Sequence, residues 1–171
     1  MPKPSATAYP EYFQRYISQV KEDDLKAAFE NQSVPAEAFF QTIPEEQSTH
    51  RYAEGKWSIK EVLQHIIDAE RVFTYRAMCF ARGEQHALPS FDENLYAANS
   101  HADARSWKEL IAEFAATRKS TELLFNSFTE DMLHHSGNAS NYTITPAALG
   151  FVTVGHVNHH IRIIQERYIG V

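Results

Sequence analysis

A single cysteine, Cys79, is all the thiol chemistry this sequence holds. No internal disulfide can form, and a reducing, cytoplasmic setting is expected. Basic blocks are also missing. The formal net charge is −6 with histidines neutral, and no run of Lys and Arg offers the clustered positive surface that nucleic-acid binding needs. The best apolar run, AALGFVTVGHV (residues 147–157), is too short to span a bilayer and contains His156. The opening stretch, MPKPSATAYPEYF, has no apolar core of the signal-peptide kind. Strand-like alternation of useful length, internal repeats and low-complexity tracts are absent too. Nucleic acid and membrane are therefore not expected as partners.

What is present suits one folded domain. The chain has 171 residues, 43% hydrophobic and 12% aromatic, enough to bury a sizeable core. Residues 1–22 read as a lead-in, loose up to about Pro10, followed by a short helix in which Phe13, Ile17 and Val20 recur at helical spacing. Residues 23–171 carry four longer helical patterns. In the first, Asp23 to Ile43, Pro35 predicts either a kinked helix or two short ones. The second has the clearest start: Ser58 followed by Glu61 matches a capping box, and Ile59, Val62, Leu63, Ile66, Ala69, Val72, Phe73 and Ala77 keep an apolar face up to Gly83. The third runs from about Ser106 to Phe128. The fourth opens on Thr145 as N-cap with Pro146 at the first helical position and continues towards Tyr168. SGNASNYT, between the last two, is a loop by composition.

Four such helices predict an all-α four-helix bundle. About twenty residues without sustained period join helices two and three. A crossover of that length can run along the bundle and leave those helices parallel, against a simple up-down-up-down order.

The nine histidines are the chemical feature that stands out. Most fall in loops or at helix ends, where a solvated role suffices. His156 and His160 differ, because residues four apart share a helix face and two imidazoles there can converge on one ion. His156 with His159 is a geometrical alternative, while His159 and His160 point about a hundred degrees apart. The zincin motif is absent, since Val157 stands where that motif needs Glu. A third ligand has to come from another helix, and His65, deep in the apolar face of the second helix, is the best placed. A histidine there must find a partner or bear a desolvation penalty. Three histidines on two helices would leave coordination positions open, as in catalytic rather than structural zinc sites.

At these residues the sequence resembles a known family. YAEGKWSIKEVLQHIIDAERVFTYRA, LPSFDENLY and GHVNHHIRIIQERY together are similar to the DinB-like superfamily, which includes the YfiT-type proteins, from about Leu25 to the end. The resemblance implies a four-helix bundle in up-down-down-up order and a metal triad that falls on His65, His156 and His160. It also implies zinc or nickel as the divalent ion and a homodimer. The activities it points to are metal-dependent ones on small molecules, among them S-transfer from low-molecular-weight thiols such as bacillithiol or mycothiol.

A three-histidine dication favours an anionic further ligand, either hydroxide, for a hydrolase, or a small thiolate, for a thiol S-transferase. Asp68, one turn beyond His65, is the weak candidate for a base. Asp92 and Glu93 sit in the crossover that can reach over the site, with helix capping as their ordinary role. Glu70 and Arg71 are expected to pair with neighbouring helices. Trp57, Phe73, Tyr75 and Trp107 are expected to pack rather than to recognise substrate, and Cys79 to be a small buried filler. The rival reading is a non-catalytic, metal-stabilised bundle with a binding or stress-related role.

Overall fold

Every long helix of the computed structural model, which describes residues 1–170, begins at a side chain that answers its orphaned N–H groups. Two 3₁₀ turns (Ala6–Ala8 and Glu11–Phe13) lead into the short α1 (Gln14–Ile17). Next comes α2 (Leu25–Gln41), where Asp24 accepts from the Ala27 amide at 3.1 Å. Ser58 opens α3 (Ile59–Ala81) with a complete capping box: the Ser58 hydroxyl accepts from the Glu61 amide at 3.1 Å, and the Glu61 carboxylate accepts from the Ser58 amide at 2.8 Å. The crossover carries α4 (Glu93–Asn99) and a 3₁₀ turn, Ala102–Ala104. Ser106 and Glu109 form a second capping box at the head of α5 (Trp107–Asn126). Then follow α6 (Glu130–His134), β1 (Gly137–Ala139), β2 (Tyr142–Ile144) and α7 (Pro146–Ile163), which Thr145 caps and which ends in π-helical turns over Ile164–Ile169.

Side-chain partners fix the helix directions. Along α3 and α5, Ser58 meets Asp103, Arg71 meets Glu113 and Thr74 meets Thr121, so residue numbers rise together and the two helices are parallel. On α3 and α7 they run oppositely, with Trp57 beside Tyr168 and Phe73 beside His156. Phe29 with Phe125 and Phe40 with Trp107 make α2 and α5 antiparallel. Leu25 at Gly150 and Gln32 at Asn158 make α2 and α7 parallel. The order is up-down-down-up. Helices two and three of the bundle are parallel neighbours, which only a long crossover permits.

Three sequence expectations need revision, and one alternative closes. Pro35 does not split α2 into two short helices; it lies on the exposed face, where water can serve the carbonyl it leaves unpaired, while Ala36 and Phe40 hold the buried face. The stretch before Pro10 is not loose: Tyr9 is buried and the Lys3 amide donates to the Asp23 carbonyl at 2.8 Å, while beyond it Ile17 and Val20 are buried, in keeping with their helical spacing. SGNASNYT makes a short hairpin, Gly137 pairing with Ile144 and Ala139 with Tyr142. Its turn places both Ser140 (φ 56) and Asn141 (φ 67) in left-handed backbone, as a two-residue type I′ turn requires. The three-residue strands are too short to display an alternation in sequence. Cys79 is only partly buried rather than a fully enclosed filler.

The core is in two parts. One apolar cluster, including Phe29, Phe80, Phe125 and Phe151, fills the end near the hairpin. The other, including Phe40, Leu63, Trp107 and Phe114, fills the opposite end. Between them runs a polar layer. Arg118 donates to both oxygens of Glu70 and to Gln32, and Gln32 donates to the Val154 carbonyl and to Asn158. On the α3–α7 side this layer continues as histidine. No helix among the described residues is long and apolar enough to cross a membrane.

Candidate metal centre

Antiparallel packing of α3 on α7 brings His65 opposite the His156/His160 pair. His65 Nε2 lies 3.1 Å from His156 Nε2, and His160 Nε2 lies 3.1 Å from the same atom. One ligand nitrogen from each of the three lies within 4.8 Å of the other two. Nitrogens sharing an ion through bonds of 2.0–2.1 Å would stand about 2.9–3.4 Å apart, for bond angles from a right angle to tetrahedral.

Burial decides the charge state of the cluster. It pushes His65 down to about 4, with His159 adding repulsion. His156 and His160 are held well below the ordinary imidazole range, first by burial; His160 and then His65 add to this at His156, and His65 and then His159 at His160. Neutral imidazoles present lone pairs. Three Nε2 atoms meeting at one place cannot all be satisfied by donating to each other, and burial discourages the protons that would relieve them. A divalent cation fits that need, so the residues present suit a metal ion.

Supporting side chains fix the rings. Trp57 lies against His65 with centroids 4.8 Å apart, and Phe73 stands edge-on to His156 at 5.7 Å. Tyr168 ties this arrangement to the end of α7 by donating from its hydroxyl to the Trp57 carbonyl at 2.9 Å. From the N-terminal segment, Tyr16 covers His156 at 5.2 Å and His159 at 5.4 Å. That approach depends on Gly155. A Cβ there would lie 2.1 Å from the Tyr16 carbonyl oxygen, so any other residue would drive α1 away from α7. Burial, and next the Tyr12 phenol, push the Tyr16 hydroxyl up to about 12, so it keeps its proton.

A cavity of about 350 Å³ opens on the three histidines, at the small end of the range for ligand pockets. Phe13, Trp57, Phe73 and Phe91 give it apolar walls, while Arg15, Arg76 and Glu93 bring charge. Trp57 and Phe73, expected only to pack, thus face the site. Trp107 is core, donating its indole N–H to the Phe40 carbonyl at 3.1 Å, and Tyr75 is exposed. Sequence reasoning missed Tyr16, Arg15, Arg76 and Phe91 altogether. Only the Gly-His pair at 155–156, a small residue beside a histidine, hinted that another segment comes close.

The remaining acids and histidines lie elsewhere. Asp68 sits on the α3–α5 side, accepting from Gln64 at 3.0 Å and lying 3.6 Å from Arg71; burial pushes its carboxyl up. It does not line the cavity. Asp92 caps α4, accepting from the Asn94 and Leu95 amides. Glu70 and Arg71 pair with Arg118 and Glu113 on α5, as expected. His159 turns away from the cluster, with Nδ1 3.4 Å from Gln19.

Comparison with known proteins agrees on the architecture. The sequence profile of the DinB superfamily matches residues 28–164. Among solved structures, the chain resembles YfiT from Bacillus subtilis, described as a probable metal-dependent hydrolase with an unusual four-helix bundle topology. The TM-score is 0.68 at 19% identity, covering 96% of this chain and 90% of that one. No curated protein matches.

Proposed function

The chain belongs to the DinB superfamily, and from that premise we propose that it is a metal-dependent enzyme acting on a small molecule, with hydrolysis as its reaction class. One observation carries this reading: three neutral imidazoles from α3 and α7, His156 buried and His65 and His160 partly so, converge at a cavity large enough for a substrate. The ligands are His65, His156 and His160, and zinc or nickel suits three imidazole nitrogens. Such an ion supplies a Lewis acid with open positions, able to bring the pKa of a coordinated water or small thiol towards neutrality.

The chain's own residues do the rest. Trp57 and Phe73 hold the His65 and His156 rings in place and keep the cavity floor dry. Tyr16, whose hydroxyl accepts from Arg15 at 2.9 Å, keeps a phenolic proton available to a developing oxyanion. A low-molecular-weight thiol in place of water would make the same site a thiol S-transferase, the finer alternative within this reading. Cytoplasmic residence and homodimerisation complete it. The single thiol, Cys79, supports the first, and family resemblance alone supports the second.

Elemental mass spectrometry of the untagged protein and of His160→Ala tests the proposal. About one zinc or nickel per chain, lost in the variant, is the expected result. Turnover of small esters and amides by metal-loaded but not chelator-treated protein, with and without an added small thiol, then identifies the nucleophile. No metal in the wild type, and none taken up on adding zinc or nickel, would sink the proposal.

A further inference from the structure

Two arginines in the cavity wall have no anionic partner. Arg76 is 5% exposed. Among the described residues its hydrogen bonds are two, both from Nη2: to the Pro89 carbonyl at 2.7 Å and to the Ser140 hydroxyl at 3.0 Å. Its Nε and Nη1 hydrogens are left for whatever occupies the cavity. Arg15 stacks on Tyr12 and Tyr16, its guanidinium carbon 3.9 Å and 4.7 Å from the ring centroids, and donates only to their hydroxyls. Both guanidiniums therefore meet neutral groups alone. Arg15 is exposed, but for Arg76 a buried charge without a counter-ion is unfavourable unless something else supplies one, and burial pushes it below its ordinary value.

The setting of Arg76 is built rather than incidental. Pro89 belongs to the crossover and Ser140 to the left-handed hairpin turn, and these segments are joined to each other: the Leu88 amide donates to the Asn138 carbonyl at 2.9 Å, and the Ser140 amide to the Leu88 carbonyl at 3.1 Å. That junction engages Nη2 alone, while Arg76 and Ser140 both line the cavity and no buried side-chain nitrogen is left without a partner. On α3, Ala69 and Phe73 continue the His65 face for two turns and Arg76 lies three turns on, all four lining the cavity. Eleven residues of helix put the Arg76 backbone about 16 Å from that of His65. The guanidinium therefore serves the end of the cavity remote from the histidines, with apolar wall between them.

We propose that Arg76 forms an oxyanion-binding subsite at that end, so that the cavity takes a small molecule with an apolar body and a carboxylate or phosphate group, while Arg15 lies by Tyr16 at the histidine end. Arginine suits this role because its planar donors match both oxyanions with two hydrogen bonds. Phe13, Phe73 and Phe91 receive the body. The reacting group then points to the histidines, a placement that rests on the function proposed above. Glu93 at the cavity wall opposes the anion and limits its affinity.

Calorimetric titration of the full chain with benzoate, phenylphosphonate and neutral benzamide tests this, in zinc-loaded and in chelator-treated protein. The expected result is anion binding about tenfold or more tighter than benzamide in both states. Arg76→Gln should weaken the anions about tenfold and leave benzamide unchanged, and Glu93→Gln should tighten the anions. Whichever anion binds more tightly identifies the head group, and either preference supports the subsite. If Arg76→Gln loses its helical circular dichroism, Arg76→Lys carries the test. Equal binding of benzoate and benzamide would overturn the subsite, as would anion binding that the folded Arg76 variant retains in full. Metal content of the same samples separates the two proposals. Anion discrimination in a protein that holds no metal upholds the subsite while the enzyme reading fails.

Discussion

Arg118 and Arg76 are both buried arginines, 2% and 5% exposed, yet they stand in opposite situations. Arg118, in the polar layer between α2, α3 and α5, donates to Glu70 at 2.8 Å and 3.0 Å and to Gln32 at 2.5 Å. Its charge is neutralised inside the fold. Arg76, on the cavity side of the same α3, has only neutral partners, and elsewhere in the same cavity three imidazoles face one another without enough donors to go round. Closed pairing on one flank and neutral partners on the other divide the layer into a structural half and the half to which the proposed site belongs. A buried polar group is by itself ambiguous; whether its partners come from within the chain is what tells the two apart.

The largest expected effect tests the closed half. Glu70→Ala leaves Arg118 buried and unpaired and should destabilise the protein by about 3–5 kcal/mol in urea unfolding. A loss under 1 kcal/mol would mean that water reaches Arg118 and the contrast is false. On the open half, Gly155→Ala should lower stability by about 1–3 kcal/mol, because the new methyl meets the Tyr16 backbone. It should also loosen Tyr16 from His156 while keeping the metal ligands. Wild-type stability with unchanged near-ultraviolet circular dichroism would remove α1 from the site.

Proton linkage gives a third, smaller test. In metal-free protein His65 sits at about 4 against 6.5 in the unfolded chain, so between these values the unfolded state binds more protons. Stability from this group is complete above pH 6.5 and is lost as pH falls towards 4. His156 and His160 act in the same direction, and His159 and Arg15, the nearby basic groups, reinforce it. The melting temperature of chelated protein should therefore fall across this window, and His65→Gln should flatten the fall. A melting temperature that is level from pH 7 to 5 would show that the imidazoles are hydrated and the cavity open. The smallest effect belongs to Asp68→Asn. Its partners are Gln64 and Arg71 on a half-buried surface, so the change should be within about 1 kcal/mol with metal content unaltered. A tenfold loss of turnover with the metal retained would instead return Asp68 to the chemistry.

Much of this was legible because it is local. Ser58 with Glu61, Ser106, and Thr145 with Pro146 mark helix starts through hydrogen bonds made within one turn, and the structure places caps at those residues. The span between Gly83 and Ser106 announced a crossover by length alone, and parallel α3 and α5 follow from it. His156 and His160 share a face by helical geometry wherever the helix is put. The Ser140–Asn141 turn escaped notice because Ser is an uncommon choice for left-handed backbone. Tyr16 escaped because it lies off the Phe13, Ile17 and Val20 stripe, and what covers it depends on a helix more than a hundred residues away.

The sequence by itself determined the helices, their caps, the necessity of a long crossover and the pairing of two histidines on α7, since all of these depend on neighbours within a few residues. Only the tertiary structure decided that Tyr16 covers His156, that Arg15 and Arg76 share a cavity with His65, and that Arg118 is neutralised while Arg76 is not. Those facts depend on how helices are rotated against each other and on segments tens of residues apart, and that rotation is set by the packing of both apolar clusters at once.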